Sequence, residues 1–229
     1  MIVIFTSVSK MVLMEKKLII FDLDGTLIDT VKDLNKATNF ALKKHHYPTL
    51  SVERTTNDIG NGVAKLIERS VPVGTSKEEY LEILNEFKEY YCEHYFESSL
   101  PYEGVKDTLV ELKKRGYKLA VVSNKFNEGA NRLVTKYFPD IFEHIQGLED
   151  RFSPKPSSDM VNFVLAKLGN NATETLYVGD TNIDYETAKN SNVDIVLVSY
   201  GYRTKEYLQK NIKNPHIIDH MWELLDILR

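Results

Sequence analysis

The stretch Leu18-Ile19-Ile20-Phe21-Asp22-Leu23-Asp24-Gly25-Thr26-Leu27 decides how the rest of the chain is read. Four consecutive apolar residues halted by an acid have the length and composition of a strand buried on both faces. The polar, glycine-containing Asp24-Gly25-Thr26 that follows reads as a turn. The same rhythm returns downstream. Tyr117 to Val122, Leu176 to Val178 and Ile195 to Val198 read as strands, with a shorter one at Ile217-Ile218. Between them, helices are predicted through Val105, Leu109 and Leu112 up to Gly116, and over 127–137, 158–168 and 183–190, with Asp219 expected to cap a last helix. Apolar strands alternating with amphipathic helices predict an α/β fold, a mostly parallel sheet covered on both faces.

One interval breaks the alternation. Val31, Leu34, Ala37, Ala41 and Leu42 fall on one face of a helix, and 47–100 reads as helical without a clear strand. Ser76 precedes Glu79 by three, the spacing of a capping box, and opens a long helix through Leu81, Leu84, Phe87, Tyr91 and Tyr95. The expected division is a catalytic core of 15–30 and 101–229 and an inserted all-helical cap within 31–100, flanking linkers included. Residues 1–14 read as an N-terminal extension, with Met14 an alternative start, or as an ordinary extra strand or turn.

Composition excludes several classes. The 229 residues are 42% hydrophobic and 27% charged, as in a globular protein. A net charge of -4 offers nothing to nucleic acid or an anionic membrane, and Lys113-Lys114-Arg115 reads as the solvated end of a helix. The opening apolar run is too short to span a bilayer, and Lys10 follows it where a secretory signal has its charge in front. Cys92 is the single cysteine, so an internal disulfide is impossible and a cytoplasmic setting is expected. No histidine or cysteine zinc pattern, phosphate-binding glycine loop or dinucleotide fingerprint occurs.

The chemically interesting residues stand where strands end, the place where open parallel sheets bind ligands. Asp22 and Asp24 follow the first strand, Ser123 and Asn124 the second, and Gly179-Asp180 the third. Two carboxylates two residues apart repel unless a cation or a shared proton offsets them. Asp180 adds a third hard oxygen donor of the kind Mg²⁺ prefers. Alone, Asp22 and Asp24 read sooner as turn capping than as a site, and Asp180 and Asp184 alone read as well as a helix cap and a first-turn acid. Lys155, held between Pro154 and Pro156, reads either as a solvated loop lysine or as an ammonium fixed to neutralise phosphoryl oxygens.

With these motifs in order, the chain resembles the haloacid dehalogenase-like hydrolase superfamily, near its phosphoglycolate phosphatase-like branch. The segments carrying the resemblance are Asp22-Leu23-Asp24-Gly25-Thr26-Leu27, Val121-Val122-Ser123-Asn124-Lys125, Lys155-Pro156 and Gly179-Asp180-Thr181-Asn182-Ile183-Asp184. The resemblance implies a Rossmann-like core under a mobile helical cap, and Mg²⁺-dependent hydrolysis of a small phosphorylated metabolite, phosphoglycolate among the candidates. It implies Asp22 as nucleophile and Asp24 as general acid and then base. Thr26, Ser123, Asn124 and neighbouring amides would hold the phosphoryl group, and Lys155 would stabilise both it and Asp22. Asp22, the main-chain carbonyl of Asp24 and Asp180 would bind the metal, with Asp184 orienting its water shell.

Two departures from the family pattern remove no chemical group. Ser158 replaces a proline at a helix entry, and Asn192 replaces a glycine where left-handed backbone is expected. A sugar-phosphate mutase of the beta-phosphoglucomutase type shares both catalytic acids and stays open as an alternative. So does a non-catalytic binding protein on the same scaffold, although Asp22, Asp24 and Asp180 are all present. The expected assembly is a monomer or homodimer.

Overall fold

The computed structural model describes residues 16–228; the expected extension at 1–14 lies outside them. The chain enters through β1 (Leu18–Phe21), β2 (Ile28–Asp29) and α1 (Val31–Lys44), then α2 (Val52–Asp58), α3 (Val63–Ser70) and α4 (Lys77–His94). It returns through β3 (Leu100–Pro101), α5 (Val105–Lys114), β4 (Lys118–Phe126), α6 (Asn127–Tyr137), β5 (His144–Leu148), α7 (Asp159–Leu168) and β6 (Thr175–Gly179). The last elements are α8 (Asn182–Asn190), β7 (Asp194–Val198), α9 (Lys205–Asn211), β8 (Ile217–Ile218), a 3₁₀ turn (Met221–Glu223) and α10 (Leu224–Ile227).

Six strands pair in parallel in the order β5-β4-β1-β6-β7-β8. Alternate residues of β1 feed opposite faces: Ile19 and Phe21 join one buried cluster, Leu18 and Ile20 the other. The apolar run is therefore covered on both sides, as its sequence predicts, and each fully buried side chain contributes roughly 1.5–3 kcal/mol. Successive crossovers run outward from β1 in both directions, so the strand order reverses beside it. That reversal opens a crevice at the carboxyl ends of β1, β4 and β6.

The insertion is helical, as expected. Antiparallel β2 and β3 lie side by side where the chain leaves and re-enters the core, with Ile28 opposite Pro101. Asp33 pins this junction: its buried carboxylate accepts from Ser98 N at 2.9 Å, Ser99 N at 2.8 Å and Ser99 Oγ at 2.7 Å. Ile83, Phe87 and Tyr91 form the buried stripe of α4. Of the expected capping box, Ser76 Oγ accepts from Glu79 N, while the Glu79 carboxylate is taken by Tyr47 instead.

Some sequence expectations change. The strand β5 and the helix α9 were not foreseen. Asp219 does not cap the final turn; it pairs with Lys205 at 2.7 Å, and His220 is the capping residue, with Glu223 reaching back to its N–H. The replacement at Asn192 adopts the expected left-handed backbone, φ 54°.

Candidate active site

Register brings the site together. Phe21 is level with Val121 of β4 and Val178 of β6. The residues that follow, Asp22, Ser123 and Asp180, are thereby delivered to one rim of the sheet. The turn after β1 needs Gly25: its φ is +90°, and a Cβ there would collide with the Asp180 carboxylate and the Tyr202 ring.

Lys155 is the centre of the buried charge network. Its ammonium, 1% exposed, lies 2.8 Å from Asp22 Oδ1 and 2.7 Å from Asp184 Oδ1, and donates to the Tyr177 hydroxyl at 3.1 Å. Burial alone would lower its pKa, but Asp184 and Asp22 outweigh burial and hold it well above the ordinary lysine value. The proline-flanked lysine is thus an interior cation rather than a solvated one. Asn124 fixes its backbone, accepting from Lys155 N at 2.7 Å and donating to Lys155 O at 3.1 Å.

Oxygens of Asp22, Asp180 and Asp184 lie within 4.8 Å of one another, and all three residues are buried. Burial pushes the Asp22 carboxyl up to about 7; Lys155 pulls against the rise, while Asp184 and Asp24 add to it. Burial, then Asp184 and Asp22, also push Asp180 well above the carboxylate range. One ammonium cannot neutralise three carboxylates, and Asp22 Oδ1 accepts no aligned hydrogen bond despite its buried position. A crowded set of hard oxygen donors that a single ammonium cannot neutralise fits a small divalent cation.

Asp24 faces a different set of partners. Lys125 Nζ reaches its two oxygens at 3.1 and 3.4 Å, and Thr30 Oγ1 donates at 2.6 Å. The Lys125 ammonium lies over the Tyr91 ring of α4, 4.5 Å from its centroid. Asp184 completes a capping box on α8: its Oδ2 accepts from Thr181 N and Thr181 Oγ1, at 3.1 and 2.6 Å. Thr26 donates to Asp180 Oδ1 at 3.1 Å, which sets it behind the acids. Ser123 Oγ accepts from Lys125 N at 3.2 Å, leaving its own proton to donate.

A cavity of about 40 Å³ lies between this floor and the insertion. Asp22, Asp24, Ser123, Asn124, Lys125, Lys155 and Thr181 line it below, and Leu34, Ile59, Val63 and Leu66 roof it. Lys125, Thr30 and Tyr202 are the partners that sequence reasoning passed over. The signal for Lys125 is a lysine directly continuing a buried apolar strand. A second cluster, His45, Glu82 and Glu86, is only half-buried, and Lys44 and His45 already pair with Glu86.

The haloacid dehalogenase-like hydrolase family model matches residues 19–198, and the chain belongs to that family. It is a phosphatase working through an aspartyl-phosphate intermediate, closely related to the phosphoglycolate phosphatase branch. A phosphoglycolate phosphatase from Aliivibrio fischeri is 32% identical over 216 residues, 91% of this chain and 94% of the relative. One from Aquifex aeolicus is 36% identical over 187 residues, 81% and 86% of the two chains. The crystal structure of a predicted phosphoglycolate phosphatase from Haemophilus somnus superposes with a TM-score of 0.86 at 31% identity, covering 94% of this chain and 99% of that one. Among the described residues, no helix is long and apolar enough to cross a membrane.

Proposed function

We propose that the substrate is a small phosphate monoester bearing a second negative group, of the phosphoglycolate class, and that Mg²⁺ is the cofactor. The observation that carries this reading is the small, partly open cavity of about 40 Å³ with two ammonium groups, Lys155 and Lys125, in its wall. A water needs roughly 10–15 Å³ on this measure. The space between floor and roof therefore holds a few waters as it stands, and its open side leaves the length of the ester to the position of the cap. The names of the curated relatives point to the same substrate.

In this reading a carboxylate oxygen of Asp22 attacks phosphorus, and the bond from phosphorus to the ester oxygen breaks. The departing alkoxide takes a proton from Asp24. Asp24, now ionised, takes a proton from water, whose oxygen attacks the phosphorus of the aspartyl phosphate and releases inorganic phosphate and Asp22. Ser123 and adjacent backbone amides hold the phosphoryl oxygens, with Thr26 and the Asn124 side chain acting from behind through Asp180 and Lys155. Lys155 keeps positive charge beside Asp22 as negative charge moves onto the phosphoryl group. Asp22, the Asp24 carbonyl and Asp180 would hold Mg²⁺, with Asp184 fixing Lys155 and the metal's water shell. Bound there, the ion supplies Lewis-acid stabilisation of phosphoryl charge.

We further assign 15–30 and 101–229 to the catalytic core and 31–100 to the cap. We place the protein in the cytoplasm, where its single Cys92 would stay reduced. The deciding experiment measures kcat/KM for phosphoglycolate, pyrophosphate, nucleoside monophosphates and hexose phosphates. Phosphoglycolate is expected to lead; a hexose phosphate in first place would overturn the assignment and favour mutase-like chemistry.

A further inference from the structure

The end of α2 poses a bonding question whose answer lies in the core. A helix leaves its last four carbonyls without intrahelical partners, and the last turn of α2 contains no basic residue of its own. Thr55 O is satisfied by Ile59 N and Asp58 O by Arg69 Nη1 at 2.8 Å, both within the cap. Thr56 O and Asn57 O are satisfied from across the cleft. Arg203, in the loop between β7 and α9, donates Nη1 to Thr56 O at 3.0 Å and Nη2 to Asn57 O at 3.2 Å. Nη2 also reaches Ile59 O at 3.4 Å. The next carbonyl, Gly60 O, accepts from Asn124 Nδ2 at 3.0 Å.

Core side chains thus hold the carbonyls at 56, 57, 59 and 60, and Ile59 and Gly60 line the cavity. The loop carrying Arg203 is itself fixed to the acidic site. Tyr202 N donates to Asp180 Oδ2 at 2.7 Å, and the Tyr202 hydroxyl meets Thr30 Oγ1 at 2.9 Å, which in turn donates to Asp24. Gly201 packs so closely on Gly25 O and Asp180 that a Cβ there would collide with both.

We propose that Arg203 is a positioning residue, a latch that fixes the cap segment 56–60 over the acidic site by forking onto the carbonyls that end α2. A guanidinium suits this task because it presents several donors in one rigid plane and also favours the negative end of a helix dipole. Arg203 touches neither the cavity floor nor the reacting atoms. It acts on the roof, and its effect on turnover rests on the reaction proposed above.

The test compares wild type with Arg203→Ala and Arg203→Lys by backbone hydrogen exchange and by kinetics. In Arg203→Ala, exchange over 55–66 is expected to speed up by about tenfold or more while β1 and β6 stay protected. kcat/KM for the best metabolite should fall by about 10- to 100-fold, mainly through KM, whereas hydrolysis of an activated aryl phosphate should change by less than about threefold. Arg203→Lys keeps the charge but loses the fork and should recover less than half of either change. Unchanged exchange in Arg203→Ala, equal loss of both activities, or full recovery with lysine would each overturn the latch. The exchange arm needs no turnover, so a wild-type protein without phosphatase activity would refute the proposed reaction and still decide the latch.

Discussion

The floor and the roof of the cavity are built on different principles. Below, Asp22, Asp24, Asp180, Asp184, Lys125 and Lys155 are charged groups held by side-chain bonds at the ends of a parallel sheet. Above, Leu34, Ile59, Val63 and Leu66 are apolar, and the cap is tied down chiefly through backbone carbonyls. Fixed charges that are expensive to bury belong on a rigid scaffold, where reorganisation is small and electrostatic stabilisation is large. A roof held by a few carbonyl bonds can open into water at modest cost, because water replaces those bonds. Under the proposed mechanism, the contrast gives chemistry to the floor and substrate selection to the roof.

The largest expected effect attacks the floor. Asp22→Asn should lower kcat on the order of 10³-fold or more for metabolite and aryl ester alike, since an amide cannot form the acyl phosphate. Steady-state kinetics on both esters, with circular dichroism to verify folding, checks this. Comparable activity on either ester would remove Asp22 from the chemistry. Cation removal should come next: chelation is expected to suppress both activities and Mg²⁺ to restore them, so full activity in metal-free protein would contradict the hard-oxygen site.

An intermediate effect should come from the roof. Replacing 47–100 with a short linker, once folding is verified, should reduce kcat/KM for the metabolite by about 10²-fold and leave aryl ester hydrolysis far less affected. If a folded lidless protein lost both activities equally, the division between floor and roof would be wrong.

The smallest effect concerns pH and stability. Asp22 has a folded-state pKa of about 7 against an ordinary value of 3.8. The folded, metal-free protein therefore binds the extra proton more tightly than the unfolded chain does. The stabilisation from this group is fully present below 3.8 and is lost as pH rises through about 7. Asp22→Asn should raise the melting temperature of metal-free protein at pH 8, by about 2–4 °C for each kcal/mol recovered. Metal affinity should weaken as pH falls below 7, because the cation and the proton compete for the same carboxylate. Calorimetric melts and metal titrations across this range would detect a lower melting point or a pH-independent affinity, either of which contradicts the crowding of acids.

Much of the floor was legible in the sequence because the carboxyl ends of strands mark ligand sites: Asp22 and Asp180 directly follow β1 and β6, whereas Ser123, Asn124 and Lys125, expected just past a strand, lie within the last residues of β4. The parallel, doubly covered sheet followed from runs such as Leu18 to Phe21. Other features were hidden for physical reasons. β5 has a short, mixed face, His144-Ile145-Gln146-Gly147-Leu148, whose buried Gln146 is satisfied by Gly147 O and Glu149, contacts that no local pattern encodes. α9 has Leu208 as its one buried residue, too little for a periodic signal. β2 and β3 are two-residue strands paired across the whole insertion. Lys125 and Arg203 read as ordinary basic residues until the fold sets one under Asp24 and the other against the end of α2.

The central claim is that phosphorus passes through the side chain of Asp22. A single turnover in isotopically heavy water, quenched at successive times before proteolysis and mass spectrometry, tests it most directly through the phosphoryl group expected on the peptide containing Asp22. Water attacks phosphorus in the second half of the proposed cycle, so the first turnover should place the heavy oxygen in the released phosphate and leave the carboxylate of Asp22 unlabelled. Trapping the enzyme before that step should show one phosphoryl group on Asp22. Released phosphate carrying heavy oxygen with no phosphorylated Asp22 at any quench time would mean that water attacks the substrate directly, and would contradict the account.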